Sequence, residues 1–209
     1  MKHKIVFIVL IISSFFVNFT LAQPSTTNTV YSKGVFTTTV SGVFEGSQQT
    51  VNQTINKFIS EYSGNLQALF GWALKGLKLQ GEKDGFIEFN IKSHTPENQI
   101  IIGKMDIAVK LMGKQHNNVA YKVKIEKTKT ADNLTEISYH LYDCEEVISS
   151  AKATLTITKL ESNTYDYKLV VRTTLTKFYN ALMSRKMFRE NIEWRFSKLT
   201  DNLIKDIGN

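Results

Sequence analysis

The chain has little of three residue types on which folds and reactions often depend: one cysteine, two prolines and four histidines among 209 residues. The single cysteine, Cys144, excludes an internal disulfide, so a hydrophobic core must stabilise the chain. An apolar fraction of 42% can supply such a core. Glu145 and Glu146 follow Cys144, and negative neighbours make a thiol less reactive. The sequence therefore predicts that Cys144 is inert and half-buried.

Recognisable chemical motifs are also missing from the sequence. No histidines, cysteines or carboxylates have a spacing that would hold zinc, and there is neither a phosphate-binding glycine loop nor a nucleophile elbow. Glu136, Ser138 and His140 resemble acid–base residues, but they alternate with apolar residues along one strand, so we expect their face to point to solvent. The sequence predicts no metal and no cofactor, and it favours a protein that is not an enzyme.

Long apolar runs are confined to the beginning of the chain. Lys2 and Lys4 precede an apolar run over 5–16, and small residues ending at Ala22 form a cleavage site. The pattern predicts a signal peptide over 1–22 and export to the periplasm or beyond the cell. No later run is long enough to span a membrane. The Lys-, Asn- and Ile-rich composition favours a bacterial source.

The charge of the chain is moderately positive. Removal of Lys2 and Lys4 with the signal peptide lowers the basic residues from 26 to 24 against 19 acidic ones, so the formal net charge falls from +7 to +5. The remaining basic residues are dispersed along the sequence rather than gathered in a run. Dispersed charge is not typical of nucleic-acid binders, and we expect no nucleic-acid partner.

A long C-terminal stretch, 176–207, has the periodicity of one helix. On a helix, a single broad sector holds the apolar residues Phe178, Leu182, Phe188, Ile192, Phe196, Leu199, Leu203 and Ile207. Such a helix would be roughly 45 Å long and would need a long surface against its apolar stripe. Arg185 also falls within this sector, which indicates either that the helix begins near Ser184 or that Arg185 lies at the rim.

Most of the chain before this helix has the period-two pattern of strands. Six runs with one apolar face cover 87–91, 101–111, 119–126, 137–141, 153–157 and 165–171, after a first strand at 31–43. The predicted turns are His94–Pro96, Gly113–Asn118, Asp132–Asn133 and Ser162–Asn163. The sequence thus predicts an α+β fold with a curved antiparallel sheet of about seven strands and one buried side.

The remaining segments complete a single predicted domain over 23–209. Residues 23–29 are polar and predict a flexible lead-in. Helical spacing over 48–62 and 66–77, interrupted by glycine and polar residues, predicts a helix pair after the first strand. No repeat or linker divides the chain.

This element order resembles the helix-grip fold of the START and Bet v1-like (SRPBCC) superfamily, in which a curved antiparallel sheet wraps a long last helix. The resemblance covers nearly all of 23–209 and depends on element order and on the apolar stripe, not on a signature motif. It implies an apolar ligand between sheet and helix. Ile101-Ile102-Gly103-Lys104, ahead of an alternating strand, is also similar to a TATA-binding-protein-like domain of small exported bacterial proteins.

Two functional hypotheses follow from this order. In the first, an apolar or amphipathic ligand contacts the inward-facing residues Met105, Ile107, Tyr121, Tyr139, Tyr167, Phe188 and Ile192, with Arg185 at the mouth. The same residues suit a filled core equally well. In that alternative the protein is an interaction module of the cell envelope. Its second apolar patch, formed by Met183, Met187 and Trp194, would contact a protein partner or a second copy of the chain; alternatively, the N-terminal segment or a loop covers this patch.

Overall fold

The computed structural model describes residues 25–60, 88–97, 100–109, 113–131, 133–144, 146–161 and 163–208. Its strands are β1 Thr26–Ser32, β2 Val35–Glu45, β3 Glu88–Glu97, β4 Ile100–Val109, β5 Lys114–Ala131, β6 Leu134–Tyr142, β7 Ile148–Glu161 and β8 Thr164–Leu175. Its helices are α1 Gln48–Ser60, α2 Lys177–Leu182 and α3 Arg185–Gly208. The predicted signal peptide and the predicted helix over 66–77 lie outside the described residues.

The strands form one open sheet in the order β1-β2-β8-β7-β6-β5-β4-β3, and every neighbouring pair is antiparallel. Along β4, the buried residues Ile101, Met105 and Ile107 alternate with the exposed residues Ile102 and Lys104. The period-two pattern therefore becomes a single buried face, as predicted. A curved open sheet with a long C-terminal helix is the helix-grip layout, so the predicted α+β class and architecture are confirmed.

The first part of the chain differs from the prediction. Residues 26–32 form β1, which pairs with β2 around a turn at Lys33 and Gly34. Both turn residues have positive φ, 50° and 84°, as a two-residue hairpin with right-handed twist requires. The prediction of a flexible lead-in is therefore wrong for residues 26–29. The described sheet has eight strands rather than about seven.

Two predicted turns are also corrected. His94–Pro96 belongs to β3, which pairs with β4 as far as Glu97. Proline is tolerated there because β3 is an edge strand of the described sheet. Its backbone forms hydrogen bonds with β4 on one side and with no described strand on the other. The second corrected turn is Gly113–Asn118. Strand β5 already begins at Lys114, and Asn118, with φ of 56°, lies in a bulge opposite Asp106. The Asn118 N–H donates to Oδ1 of Asp106 at 3.0 Å, which holds the bulge in place.

The C-terminal stretch is two helices rather than one. After α2, Met183 adopts an extended conformation with φ of −85° and ψ of 125°, and α3 begins at Arg185. The sequence left two alternatives for Arg185, and the structure shows the one in which the long helix begins near Ser184. The 24 residues of α3 span roughly 36 Å. The break rotates α2, so Phe178 and Leu182 are 50% and 54% exposed instead of joining the buried stripe.

The buried face of the sheet packs on α3 in two clusters, and Phe196 contacts both. The first, called the proximal core, surrounds the beginning of α3: Phe36, Ile101, Met105, Ile107, Val109, Val119, Tyr121, Val123, Cys144, Val147, Ile148, Leu175, Tyr179, Met183, Phe188 and Ile192. The second, called the distal core, surrounds the end of α3 and α1: Val40, Phe44, Val51, Ile55, Ile137, Leu155, Ile157, Tyr165, Tyr167, Leu169, Val171, Leu203 and Ile207. Among the helices that the structure describes, none is both long and apolar enough to cross a membrane.

Candidate functional site

The structure divides the predicted ligand-contacting residues between the two clusters. Five of them lie in the proximal core, all buried: Met105, Ile107, Tyr121, Phe188 and Ile192. Tyr167 lies in the distal core, and Tyr139 packs against it. Burial raises the pKa of Tyr139 to about 12. The proximal core is therefore the candidate site, because it holds most of the set.

Aromatic rings connect the proximal core to the surface beside the first turn of α3. The rings of Phe36 and Phe188 lie 4.4 Å apart between centroids, and those of Tyr31 and Phe36 lie 4.6 Å apart. The exposed guanidinium of Arg185 lies 4.4 Å above the Tyr31 ring, whose hydroxyl donates to Oδ1 of Asn180 at 2.9 Å. Arg185 is thus a rim residue held by a cation–π contact. Its contact with a ligand stays a prediction.

Tyr121 provides a polar group on the side of the site that β3 and β4 form. Its hydroxyl donates to the backbone oxygen of Ser93 at 3.2 Å, and burial raises its pKa. A Cβ at Gly103 would lie 2.5 Å from the Tyr121 hydroxyl oxygen, so only glycine leaves room for the ring. This contact gives a packing explanation for Gly103, which the sequence had offered as part of a family resemblance.

A hydrogen-bond chain joins the buried Tyr179 to the surface. Its hydroxyl lies 2.5 Å from Nε2 of His116, whose Nδ1 lies 2.9 Å from Oε2 of Glu146. In the tautomer that carries its proton on Nδ1, His116 donates to Glu146 and its Nε2 accepts from the Tyr179 hydroxyl. Burial, and then the charge of Glu146, raise the pKa of Tyr179. The hydroxyl is therefore a neutral hydrogen-bonding group rather than an ionised base.

Sequence reasoning placed His116 in a turn and missed this chain. His116 and Tyr179 are separated by 63 positions, and no local spacing could have paired them. The early start of β5 and the break after α2 bring them together. Cys144 lies in the same cluster and is fully buried rather than half-buried. Burial raises the pKa of its thiol, as an inert residue requires.

Asn191 on α3 is the second residue that sequence reasoning missed. It is 7% exposed, and its Nδ2 donates to the backbone oxygen of Met187 at 3.0 Å. Its Oδ1 is buried and has no hydrogen-bond partner among the residues that the structure describes. Phe188 and Ile192, both in the proximal core, lie within one helical turn of it. Asn191 thus places an unused acceptor on α3 next to two residues of the apolar site.

The distal core also has a buried polar atom, the hydroxyl of Tyr167, that makes no hydrogen bond within the described part of the chain. Its surroundings differ from those of Asn191. A Cβ at Gly42 would lie 2.9 Å from this hydroxyl oxygen, so the ring packs directly on the β2 backbone. Burial raises the pKa of Tyr167, and the nearby hydroxyls of Thr200 and Ser25 oppose the shift without reaching hydrogen-bond geometry. Tyr167 is therefore a packing residue with polar neighbours.

Two other predictions about side chains change. Ser138 is buried rather than solvent-facing; it lies on the interior strand β6, opposite Thr154 of β7. Met183 is buried and Met187 packs against the proximal core, so these two do not form an exposed patch with Trp194. The extended conformation of Met183 turns its side chain inward.

A metal site is not found in the part of the chain that the structure describes. Within those residues, no group of three or more histidine, cysteine, aspartate or glutamate side chains could hold a metal ion. The chemistry available in the proximal core is hydrogen bonding by Tyr121, Tyr179 and Asn191 inside an apolar surface.

Comparison with known proteins gives similarities of structure. No protein-family model matches the chain, and no curated protein matches its sequence. It resembles the lipid transfer and protein localization domain of human StarD13, with 12% identity, 97% of this chain and 98% of that chain covered, and a TM-score of 0.46. It also resembles the Zhui aromatase/cyclase of Streptomyces sp. R1128, with 10% identity, 83% and 93% coverage, and a TM-score of 0.46.

A START superfamily protein of Mycobacterium smegmatis shares 9% identity, with 82% and 96% of the two chains covered and a TM-score of 0.44. All three neighbours are under 25% identical to this chain, so their likeness concerns the fold. With TM-scores below 0.5, they are similarities from which no activity follows.

Proposed function

We propose that the chain binds a neutral amphipathic molecule in the proximal core, between strands β4–β5 and the first half of α3. The observation that carries this proposal is the unpartnered Oδ1 of Asn191 beside Phe188 and Ile192. A buried acceptor without a partner costs about 1–3 kcal/mol, and more than about 90% of buried polar groups have one. A hydroxyl or amide of a ligand would supply the missing donor.

The chemistry of this acceptor limits the ligand. An amide oxygen accepts hydrogen bonds and does not donate them, so it favours an alcohol and repels a carboxylate. In the proximal core, Met105 and the Phe36–Phe188 ring pair provide flexible and aromatic surface for an apolar body. Tyr121 and Tyr179 offer further polar contacts. The expected ligand class is therefore a long-chain or polycyclic alcohol rather than a fatty acid.

Native mass spectrometry of the protein purified from its own host tests the proposal directly. We expect a mass excess that disappears on denaturation, with a neutral alcohol in the extract. We further propose that the chain is exported, and the denatured mass should then correspond to a chain beginning at Gln23. A bare mass, together with no uptake of a fluorescent long-chain alcohol, would contradict ligand binding. Retention of 1–22 would contradict only export.

A substitution at Asn191 tests the named contact. Asn191→Leu should weaken binding of the alcohol about tenfold, because the ligand hydroxyl loses its acceptor. The same change should raise the free energy of unfolding of the ligand-free protein by about 1 kcal/mol, since the unpartnered oxygen is removed.

The matched control lies in the distal core. Thr200 is also buried on α3, and its hydroxyl donates to backbone oxygens of its own helix at 2.8 and 3.2 Å. Thr200→Val should leave the affinity for the alcohol unchanged. Unchanged affinity in Asn191→Leu would overturn the assignment of the contact.

A further inference from the structure

The outer face of α2 has an unusual combination of exposed apolar side chains and positive charge. Phe178 and Leu182, 50% and 54% exposed, are four residues apart and therefore lie on one face of the helix. The inner face carries the buried Tyr179 and belongs to the proximal core. The α2 face thus remains in contact with solvent at the edge of the candidate site.

Basic residues surround this face. Nζ of Lys114 lies 4.4 Å from the centroid of the Phe178 ring. Between Asp166 and Glu190 the chain has no acidic residue, and the segment around α2 contributes four exposed cations: Lys177, Arg185, Lys186 and Arg189. Charge that looks dispersed in the sequence is therefore concentrated at the corner between α2 and α3.

Two acidic groups near this face, Glu146 beside Tyr179 and Glu190 after Arg189, are outnumbered by its five cations. The carboxylate of Glu146 accepts from His116 at 2.9 Å. Lys177, Lys186 and Arg189 form no ion pair with any of the described residues. The net field at the α2 face is therefore positive, which attracts a negatively charged surface.

We propose that the α2 face docks on an anionic lipid bilayer, with Phe178 and Leu182 entering the interface and the surrounding cations contacting lipid headgroups. Two apolar side chains are too few for a stable protein interface, which needs roughly 1,000 Å² or more of buried surface. They are enough for interfacial binding when several cations contribute, because each basic residue near an anionic membrane is worth about a fivefold gain. The inference does not depend on the ligand proposed above.

Cosedimentation of the purified full chain with vesicles tests this surface. We compare phosphatidylcholine vesicles with vesicles that contain about one third phosphatidylglycerol, at low and high salt. Binding should be at least about 20-fold stronger to the anionic vesicles and should weaken at high salt. Equal binding to both vesicles, or no binding to either, would overturn the proposal.

Variants separate the charges from the apolar side chains. Lys177→Ala with Lys186→Ala should lower the partition coefficient about 20-fold, from two fivefold contributions. The matched control, Lys168→Ala with Lys205→Ala, removes two exposed lysines far from α2, near the start of β8 and the end of α3. It should change binding less than about twofold. An equal loss of binding in both double variants would show that binding depends on net charge alone, and it would overturn the assignment to the α2 face.

The apolar contribution has its own pair of variants. Phe178→Ala with Leu182→Ala should weaken binding about tenfold, because half-exposed apolar area no longer enters the interface. Leu160→Ala removes a similarly exposed leucine near the opposite end of the sheet and should have no effect. A concentration-dependent dimer that Phe178→Ala abolishes, without vesicle binding, would assign the face to a second copy and overturn the proposal.

Discussion

The two halves of the core share one sheet and one helix, but they are built from different side chains. The distal core consists of branched aliphatic residues, two tyrosines and Phe44. There Phe44 stacks on Tyr165 with centroids 5.3 Å apart, and the Tyr165 hydroxyl donates to Gln48 of α1. A Cβ at Gly46 would lie 2.9 Å from the Ile207 side chain, so the end of α3 packs tightly on the chain before α1. This half is suited to fixing the helix on the sheet.

The proximal core contains the residues that adapt or that bond to polar groups. Met105 and Met183 have flexible side chains and Cys144 has a small one. Tyr179 belongs to the hydrogen-bond chain through His116. Asn191 adds an acceptor without a partner. Two roles are thus separated along α3. The end of the helix packs tightly and fixes it on the sheet, whereas its beginning faces the candidate site.

The largest expected effect compares the packing of the two halves. Leu203→Ala in the distal core should lower the free energy of unfolding by about 3–4 kcal/mol, because a tightly packed cluster leaves a cavity. Met105→Ala in the proximal core should cost less, about 2 kcal/mol, since flexible neighbours can fill part of the space. Urea unfolding measures both.

The exposed Leu182 provides the control for these truncations. Leu182→Ala should change the free energy of unfolding by less than about 0.5 kcal/mol, because its side chain is half in solvent. A greater loss at Met105 than at Leu203 would break the comparison between a tight half and an adaptable half.

An intermediate effect concerns alkaline pH and Tyr139 beside the distal core. Its folded pKa of about 12 lies above the ordinary value of 10.0. Between these values the unfolded chain loses the proton first, so the free energy of unfolding should fall as pH rises. The stabilisation is fully present below pH 10, and about 2 kcal/mol of it is lost by pH 12. Tyr139→Phe should remove this part of the slope, and an unchanged slope would show that Tyr139 is not its source.

The smallest effect compares two tyrosine hydroxyls. Tyr179→Phe should cost about 1 kcal/mol, because Nε2 of the half-buried His116 loses its donor. Tyr165→Phe removes the hydrogen bond to Gln48 at the less buried edge of the distal core and should cost about 0.5 kcal/mol. NMR shifts of the His116 ring should change in the first variant and remain unchanged in the second. Unchanged shifts in both would contradict the Tyr179–His116 contact.

The sequence by itself determined the class of fold. Strand periodicity over 101–171 and helical periodicity near the C-terminus depend on neighbours a few residues apart, and one buried face follows from them directly. The turns at Asn133 and Asn163 were also visible, because the chain there needs residues that tolerate tight bends.

Only the tertiary structure decided where the candidate site lies. The break at Met183 and Ser184 has no glycine or proline to announce it, yet it turns Met183 inward and leaves Phe178 in solvent. The contact between His116 and Tyr179 and the unpartnered oxygen of Asn191 depend on packing between distant parts of the chain. Local periodicity specifies which face is buried, whereas the partner of each buried polar atom is set by segments that meet only in the folded molecule.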